Sequence, residues 1–229
     1  MNMKGQSSVK QISSPDDIDA DENDKKLNRH FCVQYEKIGI CIHGDLCFGI
    51  HREFTFPHVV ILHHIYPNPD FFFYCLGEKK SPINEDLRMS IFDAFYYDLY
   101  AECSQFGQVL DIIVAQNVSL HLAGTAWILF QDSDSCIAAY KALNNRFYAG
   151  RRIHASLWDT HKLSTIICEP SRGNCSCNGY CGFVHQIDPS PRIRQMCFNR
   201  TATCLPTIDL KIHEKKLNLS PALIQAEGV

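Results

Sequence analysis

The middle of the chain alternates short apolar runs with stretches of helical periodicity. Residues 59–66, VVILHHIY, are apolar and β-branched, a pattern that predicts a buried strand. Between 83 and 106 apolar residues recur every four positions, which predicts a long helix that begins near Ser81-Pro82 and ends at Gly107. Its apolar stripe consists of Leu87, Ile91, Phe95 and Leu99, with Phe92 and Phe106 beside it.

Two more strands, a second helix and a fourth strand follow. Residues 108–115 and 123–130 are the strands, Asp132 or Ser133 is placed to cap a helix over 133–145, and 151–157 close the pattern. The order β-α-β-β-α-β predicts an α+β domain of the ferredoxin-like layout that RNA-recognition motifs share. The strand at 123–130 alternates, with Ala126, Ile128 and Phe130 on one face and Thr125, Trp127 and Leu129 on the other.

Composition narrows the class of protein. Residues 1–27 are polar and acidic, so we expect a disordered tail. The net charge of −3 gives no overall positive field, so any nucleic-acid binding must come from a local surface. The sequence shows neither a membrane-spanning run nor a signal-peptide pattern. The twelve cysteines are therefore interpreted as thiols and metal ligands rather than disulfides.

Two clusters of cysteine and histidine flank the α/β pattern. The first has the spacing C-x8-C-x5-C-x3-H and the second C-x6-C-x5-C-x3-H, so their last two gaps are identical. Three thiolates and an imidazole fill the tetrahedral shell of zinc, which predicts two structural zinc sites, each organising its own small loop. The ligands are Cys32, Cys41, Cys47 and His51, then Cys168, Cys175, Cys181 and His185.

One ligand choice stays open. Cys177 could replace Cys175 in a C-x8-C-x3-C-x3-H pattern, and Cys175 is preferred because it keeps the x5 gap of the first cluster. His43 is expected at the surface. We expect the cysteines of the α/β domain, Cys75, Cys103 and Cys136, to be packing residues.

The α/β domain has few of the aromatic residues with which such sheets stack RNA bases. Ala123 and Thr125 stand where the third-strand pattern has a basic residue and an aromatic one, and only Trp127 is expected on the exposed face. Stacking is worth about 1–3 kcal/mol per base. This domain is therefore expected to bind protein rather than RNA.

These features together resemble the small subunit of the U2 auxiliary factor (U2AF), a pre-mRNA splicing family with a CCCH finger, an RRM-like homology motif and a second CCCH finger. The resemblance covers about 28–195. It implies a tail at 1–27, finger 1 at 28–57, the homology motif at 58–160, finger 2 at 161–188, and a C-terminal helix start and tail at 189–229. The matching stretches are YEKIG-C-HGD-C, IYPNP, FDAFYYDLYAECSQFGQV, LNNRFY, IHASL and CGFVH.

The resemblance implies that the homology motif binds a tryptophan-bearing peptide of the large U2AF subunit. In the family an acidic first helix and an Arg-x-Phe loop hold that peptide, the guanidinium over the indole. The corresponding residues are Asp93, Asp98 and Glu102 on the helix and Arg146, Phe147 and Tyr148 in the loop.

The resemblance also implies that the two fingers bind the AG-containing 3′ splice site of pre-mRNA. Here Ile42, Leu46 and Gly49 stand where the family commonly has arginine, which should weaken phosphate contacts. The remaining candidates for RNA contact are Tyr35, Lys37, Phe48, Arg52, Arg172, Tyr180 and Phe183.

The sequence thus predicts a non-enzymatic, nuclear splicing-factor subunit with two structural zinc ions and no membrane or small-molecule partner. It contains no Ser/His/Asp arrangement, open zinc site or phosphate-binding glycine loop. Two alternatives are a protein-interaction scaffold of the spliceosome with weak or lost RNA binding, and a general CCCH mRNA-binding factor.

Overall fold

The structure is a computed structural model, and it describes residues 30–78, 81–169, 175–177 and 181–198. The predicted acidic tail and the region from 199 onward lie outside the described residues. So do residues 28–29 of the predicted first finger.

In the described residues the strands are β1 Val59–His63, β2 Val109–Ala115, β3 Ala126–Phe130, β4 Phe147–Tyr148, β5 Arg151–Arg152, β6 His154–Trp158 and β7 Gln186–Ile187. Five of them form a central antiparallel sheet with the order β6-β1-β3-β2-β7. Four neighbouring strands of this sheet, β6, β1, β3 and β2, have the predicted ferredoxin-like order, so the α+β fold class is confirmed. Two differences stand out: the predicted fourth strand is split by a small hairpin, and β7 comes from the segment after the second Cys/His cluster.

In the described residues five α-helices surround the sheet: α1 Val33–Ile38, α2 Pro69–Cys75, α3 Glu85–Cys103, α4 Ser133–Leu143 and α5 Pro191–Phe198. Helix α3 is shorter than predicted because Asn84 caps it, accepting a hydrogen bond from the Leu87 amide at 3.1 Å. Helix α4 is capped by Asp132, one of the two predicted caps. Helix α2 is not among the elements predicted from the sequence, although Asn68 followed by Pro69 is a helix start signal. Among the described helices, none has the length and apolar character needed to cross a bilayer.

The sheet has a core on each face. On one side Val60, Ile112 and Ile128 pack against helices α3 and α4. The alternation predicted for β3 is confirmed, because Trp127 and Leu129 point to the opposite side. That second face is also buried in a hydrophobic core, made with residues from both predicted fingers: Ile38, Ile40, Leu163, Ile166 and Val184.

The prediction that Trp127 is exposed on the sheet is therefore wrong. Its indole is fully buried beneath the first Cys/His segment, and its Nε1 donates to the carbonyl oxygen of Ile38 at 2.8 Å. The two predicted metal loops are also not independent of the sheet. Residues of both loops share a hydrophobic core with the sheet, so the loops and the sheet stabilise one another.

Gly39, which ends helix α1, fits a tight space in this second core. Its φ of 74° is in the left-handed region that favours glycine. A Cβ at this position would lie 2.7 Å from Cγ of Trp158 and would also overlap Ile61. The glycine of the YEKIG motif therefore lets the first finger lie directly on the sheet.

Candidate functional site

The first Cys/His cluster comes together at the start of helix α1. Atoms of Cys32, Cys41, Cys47 and His51 that can ligate a metal lie within 4.8 Å of one another. Cys32 is the N-cap of α1, and the sulfurs of Cys41 and Cys47 are 3.6 Å apart. The cluster therefore has one ligand on the helix cap and two in the loop that follows it.

The second cluster has the same composition. Ligand atoms of Cys168, Cys175, Cys181 and His185 also lie within 4.8 Å of one another. The sulfur of Cys168 is 3.8 Å from that of Cys175 and 3.6 Å from that of Cys181. These distances exclude S–S bonds, which are about 2.05 Å long.

The backbones of the two clusters are built alike. In the first, the Cys32 amide donates to the Ile50 carbonyl at 3.0 Å, and Phe31 pairs with Ile50 in a parallel bridge. In the second, the Cys168 amide donates to Val184 at 2.9 Å, and Ile167 makes the same bridge. The identical x5 and x3 gaps in the sequence therefore correspond to one repeated local fold.

Both clusters fit a metal ion. Two sulfurs bound to zinc at about 2.3 Å with tetrahedral angles are about 3.8 Å apart, close to the observed separations. The Nε2 atoms of His51 and His185 are buried without a hydrogen-bond partner, as expected of ligand atoms. Amides of Gly49 and Phe183 donate to the sulfurs of Cys47 and Cys181, hydrogen bonds of the kind that orient metal ligands. Burial lowers the pKa of His185, which keeps the imidazole in its neutral, ligating form.

Other cysteines lie outside the clusters. Cys177 is exposed and is not among the second group of clustered ligand atoms. Cys103 and Cys136 are buried in the helix-side core, where burial raises the pKa of each thiol to about 12. Cys75 is exposed on α2, so the prediction that it is a packing residue is wrong. His43 is exposed, as predicted.

Asn117 connects the second cluster to the sheet, a role the sequence did not reveal. Its buried side chain donates to the carbonyls of Phe183 and Cys181, at 3.0 and 3.4 Å, and accepts from the His185 amide at 2.8 Å. Two of these three bonds are made by the backbone of Cys181 and of His185, which are both predicted metal ligands. No local pattern marks this residue, because its three partners are more than sixty positions away.

Two of the RNA-binding candidates on the first finger have intramolecular partners. The ring of Tyr35 stacks on His51, with centroids 4.2 Å apart. Arg52 is ion-paired with Glu36, and its guanidinium lies over the rings of Phe31 and Phe54. Phe48, by contrast, is 91% exposed.

The two fingers meet at Lys37 and Phe183. The ammonium of Lys37 lies 5.7 Å from the centroid of the Phe183 ring. Beside this contact is a cavity of 350 Å³, whose lining includes Trp158, Asp159 and Thr165. Two other RNA-binding candidates, Arg172 and Tyr180, lie outside the described residues.

The protein-binding candidates fall into two groups. Arg146 forms an ion pair with Glu102 of helix α3, at 2.6 Å, and Tyr148 packs edge-on against Phe95 of the same helix. Asp98 contributes to raising the pKa of Tyr148, after the larger effect of burial, so it belongs to this group. Phe147 points outward and is 72% exposed.

Asp93 lies in a different environment from the other two acids. Its carboxylate accepts a hydrogen bond from the Ser190 amide at 2.8 Å, just before helix α5. Helix α5 continues along α3, where Phe198 packs against Tyr100. The structure thus brings Asp98 and Glu102 to the Arg146 loop but not Asp93.

Comparisons with known proteins agree with this architecture. Residues 93–154 match the family model of the RNA recognition motif. The splicing factor U2AF 23 kDa subunit of Schizosaccharomyces pombe is 32% identical over 163 residues, covering 71% of this chain and 73% of the relative.

This chain belongs to the U2AF small-subunit family. One of the U2af small-subunit splicing factors of Arabidopsis thaliana is also 32% identical, over 74% of this chain and 60% of its own length. The splicing factor U2af 38 kDa subunit of Drosophila melanogaster is 29% identical, with coverages of 74% and 66%. The chain therefore spans less than two thirds of the length of the Arabidopsis relative.

Among solved structures, a computational redesign of human U1A protein is 21% identical and covers 49% of this chain and 93% of that one. Its TM-score to this chain is 0.32. Membership of the U2AF small-subunit family rests on the sequence relatives, with which the two Cys/His clusters around the sheet are consistent.

Proposed function

We propose that this chain is a nuclear, non-enzymatic pre-mRNA splicing factor subunit. Its two fingers bind the AG region of the 3′ splice site, and its RRM-like domain heterodimerises with a large U2AF subunit. Each Cys3His cluster holds one structural zinc ion, which is bound by the four predicted ligands of that cluster and organises the loop around it.

RNA binding by the fingers is supported by the cavity between them. A volume of 350 Å³ is of the size that small ligands and single nucleobases occupy. Lys37 supplies a positive charge and Phe183 an aromatic ring at its edge. Phe48 provides a second exposed ring on finger 1. Because the sheet face is covered, the RNA would lie on the fingers rather than on the strands.

Heterodimerisation is supported by the arrangement around Arg146. A guanidinium held by Glu102 is suited to an incoming indole, and Asp98 adds negative charge for basic residues of the same peptide. Asp93 is not part of this proposed contact, because its carboxylate accepts a hydrogen bond from the Ser190 amide just before helix α5.

A second candidate function is a scaffold of the spliceosome with little RNA binding. The observation that favours it is the state of Arg52, whose charge is neutralised by Glu36 and whose faces are covered by two phenylalanine rings. Ile42 and Leu46 are exposed at positions where the family has arginine.

The test is an RNA titration of the zinc-loaded full chain in the presence of a tryptophan-bearing peptide. A short oligonucleotide that ends in AG is compared with one in which the AG is scrambled, at two salt concentrations. Preference for AG supports the splice-site function. Equal and negligible binding to both overturns it and leaves the scaffold.

A further inference from the structure

The second Cys/His cluster has one thiol more than a zinc ion needs. Cys177 lies two residues after Cys175, and its side chain interacts with those of Cys175 and Cys181. It is not in the group of four clustered ligand atoms. Three thiolates and one imidazole already complete a tetrahedral shell. Cys177 is therefore a thiol that contacts the ligand set without belonging to it.

The first cluster has no such additional thiol. Residues 28–57 contain three cysteines, Cys32, Cys41 and Cys47, and all three are in its ligand set. The two clusters otherwise have the same composition and the same local fold. The first cluster is therefore an internal reference for any chemistry that depends on Cys177.

Cys177 is also the most accessible sulfur of the second cluster. It is exposed and Cys175 is half-buried, whereas Cys168 and Cys181 are buried. Susceptibility to oxidation depends on exposure as well as on thiolate character. In exposure, Cys177 is the sulfur that a dissolved peroxide meets first.

The chain geometry allows a disulfide between Cys175 and Cys177. Cα atoms two positions apart are separated by at most about 7 Å. Residues 176–177 lie in a turn, which shortens that separation. Disulfides join Cα atoms that are about 4.4–6.8 Å apart. The two sulfurs could therefore be joined without a large movement of the backbone.

We propose that Cys177 is an oxidation site through which hydrogen peroxide, by forming a Cys175–Cys177 disulfide, releases the metal of the second cluster. Peroxide first oxidises the Cys177 thiol to a sulfenic acid and is itself reduced to water. The thiolate of Cys175 then attacks the sulfenic sulfur, so that the S–S bond forms, the S–OH bond breaks and hydroxide leaves. Two electrons pass from the two sulfurs to the peroxide.

The disulfide removes one ligand from the cluster. The thiolate is the form of cysteine that binds metal, and Cys175 no longer supplies it once bridged. Cys168, Cys181 and His185 alone leave the tetrahedral shell incomplete, so the cluster loses its metal. The inference rests on the proposed zinc ions and adds a redox response to one of the two.

Loss of the second zinc ion would also change the proposed RNA-binding cavity. Phe183 lies between the ligands Cys181 and His185, and its ring borders the cavity beside Lys37. Val184 belongs to the core beneath the fingers, which keeps this segment on the sheet. Peroxide is therefore expected to lower the affinity for RNA without unfolding the domain.

The experiment treats the zinc-loaded full chain with hydrogen peroxide in the presence of a chromogenic chelator. The wild type is expected to release one of its two zinc ions well before the other. Its metal-free mass should fall by two hydrogen atoms, and tandem mass spectrometry should place the disulfide between Cys175 and Cys177. A dithiol reductant and added zinc should restore the lost ion.

The variant Cys177→Ser should keep both ions through the same treatment. Cys75→Ser is the matched control, because it removes another exposed thiol that lies outside both clusters. It should release one ion as the wild type does. A titration with the AG-containing oligonucleotide before and after peroxide measures the effect on RNA binding.

Simultaneous release of both ions from the wild type, or equally fast release from Cys177→Ser, overturns the inference while the zinc sites stand. A disulfide between any other pair of cysteines overturns it too. So does a loss that reductant and zinc cannot reverse, which indicates oxidation to a sulfinic acid. If the untreated chain holds fewer than two zinc ions, the proposed metal sites fail as well. Oligonucleotide affinity that survives the release overturns the predicted effect on RNA.

Discussion

Trp127 on the central strand β3 donates its indole N–H to the carbonyl oxygen of Ile38 in the first finger, at 2.8 Å. This bond crosses the interface between the RRM-like sheet and the segment of the first Cys/His cluster, and both residues are buried. The position that would display an aromatic ring to RNA in a typical RNA-recognition motif is here used to fix finger 1 on the sheet.

Trp127→Phe should destabilise the chain more than Trp158→Phe does. Both substitutions remove a buried indole from the same core, but the Nε1 of Trp158 has no hydrogen-bond partner. The difference should therefore report the cost of leaving the Ile38 carbonyl unpaired, about 1–3 kcal/mol. Equal free energies of unfolding in a urea titration would show that this bond contributes nothing.

Cys175→Ser should leave one zinc ion per chain, and Cys177→Ser should leave two. The sulfur of Cys175 lies 3.8 Å from that of Cys168, whereas Cys177 is exposed beside the cluster. Metal analysis of the two purified variants against the wild type measures this directly. The reverse result would assign the ligand to Cys177, and fewer than two ions in the wild type would contradict the ligand set.

Asn117→Asp should speed the loss of metal from the second cluster alone. The aspartate keeps an acceptor for the His185 amide but cannot donate to the carbonyls of Phe183 and Cys181. We expect release to a chromogenic chelator to be faster by roughly tenfold, the scale of one to two lost buried hydrogen bonds. Asn144→Asp, which touches neither finger, is the control. Unchanged release from Asn117→Asp would show that the metal loop holds its shape unaided.

Arg146→Ala should weaken binding of a tryptophan-bearing peptide by roughly 2- to 30-fold, the range of a cation–π contact. The fold should persist, because the pair with Glu102 is exposed and such pairs add at most about 1 kcal/mol of stability. Arg146→Lys keeps the charge but loses the planar guanidinium, so it separates stacking from simple attraction. Affinity that is unchanged in the alanine variant would remove this residue from the proposed binding site.

Acid should destabilise the chain through His63. Burial, and then the nearby His64 and His154, lower the pKa of His63 from 6.5 to about 4. His63 binds a proton more tightly in the unfolded state than in the folded state, so the stabilising contribution of neutral His63 is complete above pH 6.5. That contribution falls as the pH drops towards 4, and at pH 5 it is smaller by about 2 kcal/mol. In His63→Gln the free energy of unfolding should therefore fall less steeply between pH 7 and pH 5 than in the wild type. Parallel slopes for variant and wild type between pH 7 and 5 would refute this.

Sequence patterns predicted elements better than element ends. The four-residue recurrence from Leu87 to Leu99 identified α3, but the helix begins where Asn84 caps it and not at Ser81-Pro82. The spacing of three cysteines and a histidine likewise identified both clusters, because short loops must return their ligands to one point. Strand β7 could not be predicted, since two residues carry no periodicity and their pairing with β2 is set by the neighbouring cluster.

The sequence by itself determined the local structures of this protein: strands that alternate, helices with apolar stripes, and two ligand sets whose spacing suits a tetrahedral metal. Each depends on residues that are near one another in the chain. Only the tertiary structure decided that the fingers cover the sheet, that Asn117 holds the second cluster, and that Asp93 faces α5 rather than Arg146. These outcomes depend on buried contacts between residues far apart in the chain, which local periodicity does not encode.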